Sequence, residues 1–283
     1  MRGRTLVYAG IGCVLSMMLA CAPDTGASAD KTLPPITGKA KLDWDSATMA
    51  LPLDSYAMSG EDTRLVRAAS RVAMARCITG QQAIPPGVAA AIRRDLAAPP
   101  QPNRWLIGRW NAKFVATDSP VMTQYSIVEG LDAPTEKVSQ CVNDSAYLAT
   151  GVIDLSEIGP DEQFNRLPEI GLESFHRAIS DRRFKELVAK RAQCLRAKGY
   201  QIEEETLGGV KVDPMAGPEE RTKAFVAEAT CSDELDFAQR AGDLVATYQE
   251  LAIAQYQGEL VEIKKIVDER VAAARTLLSE NGF

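Results

Sequence analysis

Apolar residues recur every three or four positions through most of the chain beyond residue 59, the period of one helical face. Leu65, Val66, Ala69, Val72, Ala73 and Cys77 trace such a face. Ser59-Gly60-Glu61-Asp62 opens it with an N-cap oxygen and an acid three residues on, and Gly80 ends it. Phe184, Leu187, Val188, Cys194 and Leu195 repeat the pattern between Ser180-Asp181 and Gly199-Tyr200. Pro134 and Pro218 stand where a first helical turn accepts proline. Val138, Cys141 and Val142 share a face after the first, and Ala224, Ala227 and Cys231 after the second. A shorter helix is expected over Val88–Leu96, after Pro85-Pro86. From Glu234 to Leu278 the apolar stripe predicts one long amphipathic helix or two in line, closed by Glu280-Asn281-Gly282. Gly258 would cost roughly 1 kcal/mol in a helix interior, so a kink is expected there.

Extended structure is sparse. Tyr125–Val128 and Gly209–Val212 read as short strands, too few for a sheet-based fold. Gln101–Thr123, with Trp105, Trp110 and Phe114, reads as a loop packed on the core. The fold class expected for residues 47–283 is therefore mainly α, with a long amphipathic C-terminal helix.

The start of the chain follows a different grammar. Arg2 and Arg4 precede an uncharged apolar run from Leu6 to Leu19, which ends in Ala20-Cys21. The polar run Pro23-Asp24-Thr25 makes it too short to span a bilayer. A cationic start, a short apolar stretch and a small residue before Cys resemble a bacterial lipoprotein precursor. That resemblance implies cleavage between Ala20 and Cys21, with a diacylglycerol on the Cys21 thiol. Residues 1–20 are thus expected to be a lipoprotein signal peptide. Residues 21–46 would be a lipidated Cys and a flexible linker, small, polar and proline-containing. Trp44 is expected to be the first docked residue. Two buried chains hold a protein on a bilayer stably where one does not, since each methylene contributes ~0.8 kcal/mol.

Export changes the reading of the cysteines. An oxidising compartment favours disulfides among Cys77, Cys141, Cys194 and Cys231. Four cysteines allow three connectivities. Cys77 and Cys194 each lie near the end of a helix that closes on Gly, and each is followed by a proline-led helix carrying one Cys. The pairing expected is Cys77–Cys141 and Cys194–Cys231, each worth roughly 3–5 kcal/mol in the chain-entropy model. Free buried thiols are the alternative; no C-x-x-C spacing suggests a zinc site.

Several of these segments also occur in a known order. They are Leu51-Pro52-Leu53-Asp54-Ser55-Tyr56, the Arg76-Cys77 helix, Ser139-Gln140-Cys141, Cys194 with Gly199-Tyr200, and Ala229-Thr230-Cys231. Together they resemble an actinobacterial, Streptomyces-type family of secreted lipoproteins with paired cysteines. The resemblance runs over most of residues 50–275 and is least over 100–130. It implies an envelope location and disulfides. It implies no activity, so no catalytic residue is carried over.

Charge and chemistry narrow the function classes. The formal net charge is −6. Since Arg2 and Arg4 precede the cleavage point and no acid does, the processed chain is more acidic still. No basic stripe suggests nucleic acid as a partner. The single histidine, His176, sits in Glu173-Ser174-Phe175-His176-Arg177, an exposed helical setting rather than a triad. Glu203-Glu204-Glu205 reads as a solvated turn rather than a cation site. Leu207-Gly208-Gly209-Val210 reads as a tight turn between extended segments rather than a phosphate cradle. Trp105, Arg109 and Trp110 could line a groove, but local packing explains them. No catalytic, cofactor or metal residue is assigned.

The function expected is a lipid-anchored envelope protein at the outer face of the cytoplasmic membrane, acting as a non-enzymatic binding or assembly module. Its partners would be membrane lipid, through acylated Cys21, and an envelope protein. A solute-binding lipoprotein of a transporter is the alternative, and a carboxylate-dependent hydrolase a more distant one.

Overall fold

A computed structural model describes residues 33–45, 48–98, 130–132, 134–143, 162–203, 207–213 and 215–283. Residues 1–20, expected to be a signal peptide, and Cys21, Trp105, Arg109, Trp110, Tyr125–Val128, Glu204 and Glu205 lie outside the described residues. The fold is mainly helical, as the periodicity predicts. Its helices are α1 (Gly60–Thr79), α2 (Pro86–Ala97), α3 (Thr135–Asn143), α4 (Glu162–Ser180), α5 (Arg182–Ala197), α6 (Pro218–Glu234), α7 (Phe237–Gln255) and α8 (Gln257–Glu280). Two small antiparallel hairpins accompany them. One pairs β1 (Lys41–Asp43) with β2 (Thr48–Ala50), and the other pairs β3 (Ile202–Glu203) with β4 (Gly209–Val210). A 3-10 turn covers Pro52–Tyr56. Among the described residues, no helix is long and apolar enough to cross a membrane.

Local sequence explains the helix ends. Ser59 accepts from the Asp62 N–H at 3.0 Å while Asp62 receives the Ser59 backbone N–H, closing a capping box on α1. Gly80 takes the left-handed conformation that ends it, with φ +65°. Asp181 caps α5 through the Arg183 N–H at 2.8 Å, and Pro218 occupies the first turn of α6. The C-terminal stripe proves to be two helices, broken at Tyr256 rather than at Gly258. One long helix was read only locally, around His176: α4 contains Pro168 and Gly171, which disrupt its periodicity. Its inward row is Ile170, Ser174 and Ala178, all buried, of which only one is large and apolar.

The core has two centres. Around α7 the helix is buried on nearly every side, from Phe237 to Gln249, with Arg240 among the exceptions. It packs against α4, α5, α6 and α8. Helix α8 then reaches the second centre. Its first half puts Leu260 and Ile263 against Leu53, Ile170 and Ala252. Its last turns put Ala274, Leu277 and Leu278 against the alanine-rich face of α1, where Val72, Met74, Val88 and Ile92 are also buried. The strip of small residues along α1 lets neighbouring helices pack closely, so the core is dense without large side chains.

The expected linker is corrected at its C-terminal end. Residues Pro34–Phe283 form one unit of contacts, so docking begins well before Ser46. Ala40 is buried and β1 is already part of a hairpin. Trp44, expected to dock first, is an exposed large side chain following that docking point. The signal for this strap is weak in sequence because backbone groups and small residues, not an apolar run, make its contacts.

Candidate functional site

The strap is seated by one polar row on α7. Gln239, Asp243, Thr247 and Glu250 follow at three- and four-residue steps, so they share a face. The Thr37 hydroxyl donates to Glu250 at 3.1 Å, and the Gly38 N–H donates to Thr247 Oγ1 at 3.0 Å. The Ala40 N–H donates to Asp243 Oδ1 at 3.0 Å, and Gln239 donates to the Ala40 carbonyl at 3.0 Å. Lys39 adds an ion pair to Asp243 at 2.7 Å. The Gly38 and Ala40 rungs depend on close approach of the strap to the helix. A Cβ at Gly38 would overlap the Thr247 backbone, and one at Gly242 would lie 2.7 Å from Ala40 Cβ. The next segment is fixed likewise, by the Leu53 N–H donating to Gln249 at 3.0 Å.

A second arrangement lies along α5. Lys185, Val188, Ala189, Ala192 and Arg196 form one stripe down the helix, facing a cleft of about 350 Å³. Ile179 and Phe184 line it from one side, and Ile202, Leu207 and Gly208 of the hairpin line it from the other. Leu207 and Gly208, which lead into β4, both have positive φ, 54° and 75°. A Cβ at Gly208 would come within 3.0 Å of Val188 Cγ1. Buried Glu228 accepts the Val210 N–H and pairs with Arg191 at 3.3 Å. Arg191 also donates to the Leu207 carbonyl at 3.3 Å and stacks 5.2 Å from the Phe237 ring.

The cysteine pairing is as expected. Cys77 is bonded to Cys141 and Cys194 to Cys231, each with Cα atoms 5.8 Å apart. Cys194, Cys231 and Glu234 form a cluster of metal-ligand type, with Cys194 Sγ 3.3 Å from Glu234 Oε2. Metal ligation needs thiolates, and these sulfurs are bonded to each other. Lys198 pairs with Glu234 at 3.1 Å instead.

The remaining candidates disperse. Ser174 is buried and donates to the Ile170 carbonyl at 2.7 Å, the helix position four residues back. Glu173 accepts the Tyr256 hydroxyl at 3.0 Å. His176 is exposed on the outer face of α4, beside Glu173 and Arg177. Ser174 and Glu173 are engaged with separate partners, and the three side chains do not form a triad. Glu203 lies on β3, opposite Gly209 on β4, and Gly208 precedes that strand in the left-handed conformation.

One buried ionisable node was not foreseen. The Asp181 side chain is shielded from solvent, which alone would raise its pKa. The Arg183 guanidinium at 2.6 Å, the Arg183 N–H and the Tyr248 hydroxyl at 3.0 Å outweigh burial and hold it below the usual carboxylate range. Burial and Asp181 together push the Tyr248 hydroxyl pKa up. The node joins the start of α5 to the middle of α7. No protein-family model, curated protein or solved structure matches this chain.

Proposed function

We propose that this chain is a non-enzymatic binding or assembly module of the cell envelope. In this reading it is cleaved after Ala20 and held at the outer face of the cytoplasmic membrane by an acylated Cys21. The seat of Thr37–Ala40 on α7 is the observation that carries the reading. It gives the N-terminal segment a firm attachment to the core. The residues between Cys21 and Thr37 reach at most about 55 Å, which holds the folded part close to a bilayer. Two disulfides support an oxidising compartment.

The test is fractionation of cells carrying Cys21→Ser. Wild type should sediment with membranes, and its N-terminal peptide should carry a diacylglyceryl Cys21 by mass spectrometry. The variant should be released. Membrane retention of the variant, or a processed chain that begins elsewhere, overturns the anchor. Crosslinking in the intact envelope, followed by identification of the captured chain, tests the assembly role.

A further inference from the structure

We infer that the cleft along α5 binds a single-chain fatty acid, with its acyl chain on the apolar floor and its carboxylate on a cation at one end. The inference rests on the reading of the protein as a binding module, but not on its anchor. The floor and walls are Ile179, Phe184, Val188, Ala192, Ile202 and Leu207. They are apolar, with Phe184 buried beneath the others, and among the described residues the side chains lining the cleft offer no neutral polar group to pair with a peptide backbone. A peptide placed there would leave its own N–H and C=O groups short of partners; an acyl chain has none to satisfy.

The ends of the cleft supply the charge complement. Lys185 and Arg196 are exposed, line the cleft, and stand three turns apart on α5, a rise of about 16 Å. Neither has an acidic side-chain partner among the described residues. Unpaired cations bounding an apolar trough match an elongated molecule with an anionic head. At Arg196 a carboxylate can be held by two parallel hydrogen bonds, at Lys185 by a point charge.

The wall opposite α5 is preorganised. A buried ion pair is a poor source of net stability, since both charges lose water. Here Arg191 and Glu228 fix the backbone of Leu207 and Val210, and the left-handed Leu207 adds strain. These costs hold a two-residue ladder at a set distance from α5. A preformed cleft loses less entropy on binding than one that must be assembled.

The experiment uses the full chain carrying Cys21→Ser, purified without detergent, in titration calorimetry. The probes are dodecanoate, dodecyl maltoside and dodecyltrimethylammonium, each below its micelle concentration. Dodecanoate should bind one per chain, at least roughly tenfold tighter than the neutral and cationic probes. Lys185→Glu or Arg196→Glu should weaken dodecanoate by at least roughly tenfold, and the larger loss identifies the head-group end. Ala189→Trp, at an exposed position on the cleft rim, should abolish binding with the far-ultraviolet spectrum and both disulfides unchanged. Absence of dodecanoate binding, equal binding of all three probes, or indifference to both charge reversals overturns the inference. So does tighter binding of a short apolar peptide with an acidic residue. Fractionation of Cys21→Ser scores the anchor separately, so the failure of either reading is visible without the other.

Discussion

Two regions of the molecule are built from the same parts and use them differently. Each has a helix that ends in Cys and Gly, a second Cys on a later helix, and one buried arginine. In the first, Arg71 of α1 pairs with Asp95 of α2 at 2.8 Å, and Cys77 is bonded to Cys141 of α3. In the second, Arg191 of α5 pairs with Glu228 of α6, and Cys194 is bonded to Cys231 of α6. The rings closed are 64 and 37 residues, so ring entropy alone would make the disulfides almost equal, about 4 kcal/mol each. The apolar surroundings are unequal. Beside the first pair lie Val72, Met74, Val88, Ile92, Leu277 and Leu278 with several alanines. The second has Leu195, Val210, Ala224 and Ala227. Where the core is thick, the disulfide fastens a peripheral helix to a body that stands without it. Where the core is thin, disulfide and ion pair together set the positions of the main elements.

The largest expected effect breaks the ion pair of the thin region. Arg191→Met leaves Glu228 charged and buried, and should cost about 3–5 kcal/mol in denaturant unfolding. Adding Glu228→Gln should recover part of this, because the amide still accepts the Val210 N–H without a buried charge. A double variant as unstable as the single one would refute the assignment of the cost to the stranded carboxylate. Next, Cys194→Ala with Cys231→Ala should lower global stability by up to about 4 kcal/mol and expose the Val210 amide to hydrogen exchange.

Removal of the other disulfide sharpens the comparison. Cys77→Ala with Cys141→Ala should give a smaller global loss. Exchange should accelerate over α3, whose described side chains before Cys141 are mostly exposed, while α1 and α8 keep their protection. Equal acceleration in α1 would show that the two regions do not differ as described. The smallest effect concerns Asp181. Its folded pKa lies below the unfolded value of about 3.9, so its stabilisation is complete above that pH and is lost as pH falls through the folded value. Tyr248→Phe removes one of its donors and should cost about 1 kcal/mol near neutrality. That difference should shrink as the pH falls below the unfolded value, as measured by denaturant midpoints; a constant difference would remove the carboxylate from the explanation.

Much of the fold was legible because its signals are local. Ser59, Gly80, Asp181 and Pro218 mark helix ends through their own backbone chemistry, and the cysteines fall on faces already traced by apolar periodicity. What escaped is what depends on distant partners. Nothing in Thr37-Gly38-Lys39-Ala40 announces a helix two hundred residues later, because hydrogen bonds from the backbone leave no apolar pattern. The length of α4 escaped because Ser174 and Gly171 stand where large residues would have shown its period. The break at Tyr256 escaped because Gly258 was the stronger local signal. The cleft was not read from the sequence: of the residues along its helix only Phe184 and Val188 fall on the apolar stripe, and Lys185, Ala192 and Arg196 gain meaning only beside the hairpin. Nor was its opposite wall, because Arg191 and Glu228 meet only when α5 and α6 are packed.

The strap on α7 also sets how the protein responds to being pulled. The strap runs antiparallel to the helix: Thr37 meets Glu250, Gly38 meets Thr247 and Ala40 meets Asp243. A force along the helix axis, applied through the residues before Thr37, loads these rungs together in shear. A force at right angles to the axis opens them one at a time, starting at the exposed Thr37–Glu250 contact. The joint is therefore strong in one direction and peels in the other, and the load it carries enters the molecule through its most buried helix rather than through a frayed end.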